Sequence, residues 1–118
     1  MSFKPPEGRS RRDLWQDYLF LSQELSKFVS PEDFELFTDL LEQRERLQPL
    51  IEAAPDVERY QESDEFRTLV ERVSALNESI ASRLRFFKNA ALKQRDLANA
   101  YDGYVDDFTA GYRMDRRS

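Results

Sequence analysis

Neither cysteine nor histidine occurs among the 118 residues. Their absence excludes a disulfide, a zinc thiolate site, a cysteine nucleophile, a histidine base and a Ser-His-Asp triad. Glycine is nearly as scarce, present only at Gly8, Gly103 and Gly111. That leaves no Gly-rich phosphate loop and too few turn residues for an all-β fold. No purely apolar run exceeds four residues, so the sequence holds no membrane span. Met1 to Gly8 lacks the apolar core of a secretory signal. A reducing, cytoplasmic setting fits the missing cysteines.

Charge is abundant and uneven. The chain is 35% charged and 40% hydrophobic, with a net charge of −5, which suits one small domain with a lean core. The first residues are mildly basic through Lys4, Arg9, Arg11 and Arg12. Residues 31–66 carry twelve acids against Arg44, Arg46 and Arg59. Residues 83–95 carry Arg83, Arg85, Lys88, Lys93 and Arg95 and no acid. An acidic chain repels a polyanion, so nucleic acid is not the expected partner. The two blocks are expected to face each other inside one fold.

The periodicity predicts an all-α, antiparallel three-helix bundle over residues 10–102. A mobile arm over 1–9 precedes it, and a short helical C-terminal tail over 103–118 follows. Ser10 and Asp13 mark the start of helix 1, which runs from about 11 to 29 through Leu14, Trp15, Tyr18, Leu21, Leu25 and Phe28. Ser30 is expected to cap helix 2, with Pro31 at its first position. Helix 2 presents Phe34, Phe37, Leu40, Leu41, Leu47, Leu50 and Ile51. Pro49 predicts either a kinked continuation to about Ala54, the favoured reading, or an end near residue 46. Residues 55–63 form a loop. Helix 3 begins near Ser63 and presents Phe66, Leu69, Val73, Leu76, Ile80, Leu84, Phe87 and Ala91, a coiled-coil-like seam that could reach Tyr101.

Lengths carry an inference. At 1.5 Å per residue, helix 3 would be roughly 57 Å long against roughly 28 Å for helix 1 and at most roughly 36 Å for helix 2. Either the shorter helices slide to cover most of its seam, or the remainder meets the tail, a second copy or a partner. Tyr101, Tyr104, Phe108 and Tyr112 share one helical face of the tail, with Asp102, Asp106 and Asp107 off it. That acidic amphipathic segment could fold back on the basic one as a movable element, or pack permanently as core. Packing helix 2 against helix 3 would set Glu32, Glu35 and Asp39 near Arg85, Lys88 or Lys93.

Catalysis finds little support. Paired carboxylates need a concave, partly buried site, whereas Glu42, Glu45 and Glu71 fall on outward helix positions. A di-metal bundle would use Glu-x-x-His pairs. The expectation is a protein that is not an enzyme, with no catalytic residue, no cofactor and no metal.

Asn99-Ala100-Tyr101 closes the long helix, and Gly111-Tyr112-Arg113-Met114-Asp115-Arg116-Arg117 gives an aromatic-to-basic ending. Upstream stands Leu40-Leu41-Glu42-Gln43-Arg44-Glu45-Arg46-Leu47. This ensemble resembles the small flagellar export chaperones of the FliT and FlgN type, and the length is more like the FliT members. It departs from them at Pro49 and at the extra aromatic Tyr104. The resemblance implies a cytoplasmic chaperone that binds a filament-cap client before type III export, with the export apparatus as a further partner and the tail regulating access. An FlgN-type protein would instead hold hook–filament junction clients. Binding would be helix-in-groove, with Leu76, Ile80, Leu84 and Phe87 as anchors and Arg83, Arg85 and Lys88 steering an acidic flank. The rival reading is a homodimeric coiled-coil scaffold without a client.

Overall fold

The computed structural model describes residues 9–90. They form three helices: α1 (Arg11–Lys27), α2 (Phe34–Ala53) and α3 (Asp64–Ala90), with no strand among the described residues. The architecture is an all-α helical bundle. The arm before Arg9 and the tail bearing Tyr101, Tyr104, Phe108 and Tyr112 lie outside the described residues, as do Lys93 and the expected extension of α3 to Tyr101.

Three cross-links fix the directions of the helices. Arg11 at the start of α1 meets Ala54 at the end of α2. Arg12 and Gln16 meet Glu65 at the start of α3. Arg83, far along α3, donates to Ser26 near the end of α1. Helices α1 and α3 therefore run parallel, and α2 runs antiparallel to both. Helix α1 packs closely on both neighbours, while the backbones of α2 and α3 stay apart along most of their length.

Local chemistry sets the boundaries. The Ser10 hydroxyl accepts from the Asp13 amide at 3.3 Å, the cap the sequence calls for. The Ser30 cap does not form. Pro31–Asp33 makes a 3₁₀ turn in which the Asp33 amide bonds the Ser30 carbonyl, and the Ser30 hydroxyl turns to the Asp33 carboxylate instead. Helix α2 continues through Pro49 to Ala53. Pro49 lies on the exposed face, where water can serve the carbonyl that loses its helical donor. Ser63 caps α3, its hydroxyl accepting from the Phe66 amide at 3.1 Å.

The loop between α2 and α3 is tighter than a ten-residue connection needs to be. Val57–Glu62 is a kinked pair of tight turns in which Glu58 and Arg59, at the kink, both adopt left-handed backbone, with φ of 58° and 52°. Such positions cost non-glycine residues of order 1–3 kcal/mol each. A knot of polar contacts offsets this. Arg11 donates through Nε to Ala54 O (2.9 Å), through Nη2 to Glu52 O (3.0 Å) and through Nη1 to Gln61 Oε1 (3.2 Å). Trp15 Nε1 shares the same Gln61 oxygen. Arg11 thus serves carbonyls that the end of α2 leaves without helical donors.

The core is continuous across the three helices. Tyr18, Leu21, Leu25, Phe37, Leu47, Val73, Ile80 and Leu84 are fully buried. Trp15 packs edge-on against Tyr18 and Phe66 with ring centroids 5.3 and 5.2 Å apart, and Tyr60 closes on Phe66 at 5.5 Å. Phe37 has no exposed area. Phe37→Ala should therefore destabilise the fold by about 3–5 kcal/mol, read as a lowered urea midpoint; an unchanged midpoint would place Phe37 outside the core.

Candidate functional site

Two groups of residues stand apart from an ordinary apolar bundle. The first is internal. Arg44 of α2 is fully buried, and so is Ser22 of α1, with Asn77 of α3 nearly so. Arg44 Nη1 donates to Ser22 Oγ at 2.7 Å and to Asn77 Oδ1 at 2.9 Å. The guanidinium lies 4.8 Å from the centre of the Tyr18 ring, a cation–π geometry. Each helix contributes one polar residue at the same level. Ser22 falls between Tyr18 and Leu25, Arg44 between Leu40 and Leu47, and Asn77 between Val73 and Ile80.

The second group is the far end of α3. Sequence periodicity predicts an inward Leu76 and a seam left partly open from Leu76 to Phe87. The structure distributes those residues differently. Ile80 and Leu84 have no exposed area, being enclosed by the neighbouring helices, and Leu76 and Phe87 are only partly buried against the core. Asn77 takes the inward position in place of Leu76. The described part of the seam is therefore covered, and Ile80 and Leu84 present no open groove to a client.

What stays exposed is Phe86, at 65%, with its ring edge-on to Phe87 at 5.3 Å. Two residues beyond Leu84, Phe86 lies roughly 200° round the helix from the seam, so an analysis that follows the seam passes it by. Around it, Arg85 is exposed and Arg83 and Lys88 are half-buried, and no acid follows Glu78 in α3. Arg83 is held by Ser26 Oγ at 2.8 Å and Ser79 Oγ at 3.4 Å. Among the described residues, Arg85 makes no hydrogen bond or ion pair.

The expected pairing of Glu32, Glu35 and Asp39 with Arg85 or Lys88 is not made as ion pairs among the described residues, and Lys93 lies outside them. Ion pairs form instead at the start of α1, as in Arg9–Asp17 at 2.6 Å and Arg12–Glu65 at 3.1 Å. Glu35 and Asp39 are exposed on α2, Glu32 on the turn before it, and Arg85 on α3.

Two titrating groups are perturbed. Burial pushes the Asp17 carboxyl above the usual range; Arg9 pulls it down without cancelling the rise, and Asp13 adds to it. Burial also pushes the Tyr60 hydroxyl above its ordinary value, helped by the Glu65 carboxylate and opposed by Gln16 and Arg12. Among the described residues, no cluster of acidic side chains could hold a metal ion, and no helix is long and apolar enough to cross a membrane.

These arrangements yield two predictions. Asn77→Ala withdraws an acceptor from a buried cation and should cost about 1.5–3 kcal/mol. In an Arg44→Met background the same change should cost well under half of that; equal costs in both backgrounds would show the two residues to be uncoupled. Tyr60→Phe should remove an alkaline sensitivity. With the folded pKa raised, the unfolded chain releases the phenolic proton first, so stability is whole below about pH 10 and is lost as pH rises through the folded value. The difference in urea midpoint between wild type and variant should be flat below that pH and grow in favour of the variant above it; a constant difference would contradict it.

Compared with family models, curated proteins and solved structures, the chain matches none of them, so its functional reading rests on its own residues.

Proposed function

We propose that this chain is a non-catalytic cytoplasmic chaperone that holds an amphipathic segment of an export client. The observation that carries the binding reading is the exposed Phe86 beside Phe87 on a stretch of α3 that holds only basic charges. Exposed aromatics ringed by like charge suit a partner with an apolar anchor and an acidic flank. The anchors are Leu76, Phe86 and Phe87, with Arg83, Arg85 and Lys88 steering. Ile80 and Leu84 support these residues from within the core.

The narrower assignment, to a flagellar filament-cap protein exported by a type III apparatus, is supported by the resemblance of the Asn99–Tyr101 and Gly111–Arg117 patches. Under it, the tail carrying Tyr101, Tyr104, Phe108 and Tyr112 competes with the client for the α3 surface.

Calorimetric titration of a filament-cap C-terminal peptide into the full chain tests both levels. Phe86→Ser with Arg85→Glu should weaken binding by about tenfold or more while the helical circular dichroism is retained. Truncation after Gly103 should strengthen it by about tenfold if the tail occupies the surface about 90% of the time. Absence of binding by the intact and the truncated chain would end the filament-cap assignment. Binding unchanged by the double substitution would end the placement on α3.

A further inference from the structure

We infer that the Arg9–Asp17 pair is a clasp on the entry of α1, one that opens when Asp17 takes up a proton and leaves the bundle folded. Arg9 stands just before the cap residue Ser10, and its side chain reaches back along α1 to a residue eight positions on. The guanidinium grips the carboxylate with two prongs, Nη1 to Oδ2 at 2.6 Å and Nη2 to Oδ1 at 3.3 Å. Nη2 also donates to the Asp13 carbonyl at 3.2 Å. The two side chains are 25% and 14% exposed, against 56% and 47% for Arg12 and Glu65. Water therefore screens the Arg9–Asp17 pair less, and its strength depends more on the charge of the carboxyl.

Opposed forces make the pair switchable. The Arg9 cation favours the carboxylate, whereas burial favours the neutral acid. Burial is the stronger and holds the Asp17 carboxyl above the usual range, with Asp13 adding to the rise. The other elements bring no competing partner. On α2, Glu52 meets Arg11 and Gln48 meets Tyr18, so Gln48 to Ile51 lie level with Asp17, and none of them titrates. Beyond them, Glu52 and Glu45 are exposed, and Arg46 is engaged by Glu42 at 3.6 Å. In the following loop Glu58 is exposed, Arg59 pairs with Glu62, and the Asp56 carboxylate accepts from the Gln61 amide. On α3, Glu65 is taken by Arg12 and Gln16.

Opening the clasp does not undo the fold. Ser10 holds the Asp13 amide independently, and Arg11 remains fixed to the end of α2. The release thus falls at Arg9, and the direction in which the chain enters α1 becomes dependent on pH. Linkage has the matching sign. With the folded pKa raised, the folded state binds the proton more tightly than the unfolded chain does. Stability is gained as pH falls through the folded value, and the gain is complete below about pH 3.9, the unfolded value. Acid loosens the clasp while the same group stabilises the bundle. Neither residue lies on α3, so the inference is independent of the chaperone reading.

Nuclear magnetic resonance of the isotopically labelled full chain supplies the test, titrated from neutral pH to about pH 4. The Asp17 carboxyl carbon should titrate above the ordinary aspartate value. The heteronuclear NOE of Arg9 Nε–H should fall from ordered to mobile with the same midpoint. The signal of the buried Arg44 Nε–H should persist throughout, reporting an intact bundle. In Asp17→Asn, Arg9 should be mobile at every pH. In Arg9→Ala, the Asp17 midpoint should shift further up, because the cation that lowers it is gone. Four outcomes overturn the inference. Arg9 staying ordered through the Asp17 titration would show that the carboxylate does not hold it. Arg9 already mobile in wild type at neutral pH would mean that no clasp forms. An Asp17 midpoint at or below the ordinary value, or one unmoved by Arg9→Ala, would remove the switch. Loss of the Arg44 signal together with that of Arg9 would make the event acid unfolding of the bundle.

Discussion

The rest of the bundle depends on a guanidinium placed where no water reaches. A buried cation is tolerated only when polar groups surround it, and Arg44 draws those groups from both other helices. Ser22 comes from α1 and Asn77 from α3, at 2.7 and 2.9 Å. Apolar packing alone is forgiving of small slides along a helix axis; this polar layer is not. Shifting α3 by one turn would carry Asn77 roughly 5.4 Å away and deprive Arg44 of an acceptor in a low-dielectric interior. The layer thus acts as a register mark. The Arg83–Ser26 contact and the depth of Ile80 and Leu84 follow from where it sets α3 against α1. It also spans the wide side of the bundle, because α2 and α3 keep their backbones apart and Arg44 has the reach to join them.

The opposite end is held by different means. The chain must turn from α2 into α3 through two left-handed, non-glycine residues, and the polar knot around Arg11 and Gln61 stabilises that turn. Its members also belong to the core edge. Trp15 packs on Phe66 while its ring nitrogen bonds Gln61. Tyr60, inside the turn, packs on Phe66 too. The strained loop and the aromatic cluster therefore support one another, and neither can relax without exposing the other.

Much of this was legible in the sequence. The apolar spacing placed both ends of α1, the end of α2 and the start of α3 to within two residues, because amphipathic periodicity reports burial directly; α2 begins three residues after Pro31, and the expected reach of α3 to Tyr101 lies outside the described residues. Ser10 read correctly as a cap, and Ser63 as the place where α3 starts. Ser30 did not, since a 3₁₀ turn redirects its hydroxyl, and spacing carries no information on that choice. The polar layer was passed over for a simple reason: residue type was allowed to outrank position. Arg44 continues the series Leu40, Leu47 and Ile51 at spacings of four, three and four, and Asn77 does the same between Val73 and Ile80 and Leu84. Reading phase before chemistry would have turned both inward and Leu76 aside. Phe86 escaped notice because it lies off the seam, and apolar periodicity reports only the seam.

The separation of the charged blocks follows from the same phase argument. A residue that is not needed by the core points away from it, and on parallel or antiparallel neighbours such residues diverge. Glu32, Glu35 and Asp39 lie off the stripe that buries Phe37, Leu40 and Leu41, and Arg85 lies off the stripe that buries Ile80 and Leu84. Opposite net charge on two neighbouring helices is therefore not enough to pair them; the charges must also flank the shared interface, as Arg12 and Glu65 do across α1 and α3. Charges that fail this condition remain solvated and bring the fold little stability. Their field stays directed at whatever approaches from outside, and at this end of the bundle it is bipolar and centred on two exposed apolar side chains.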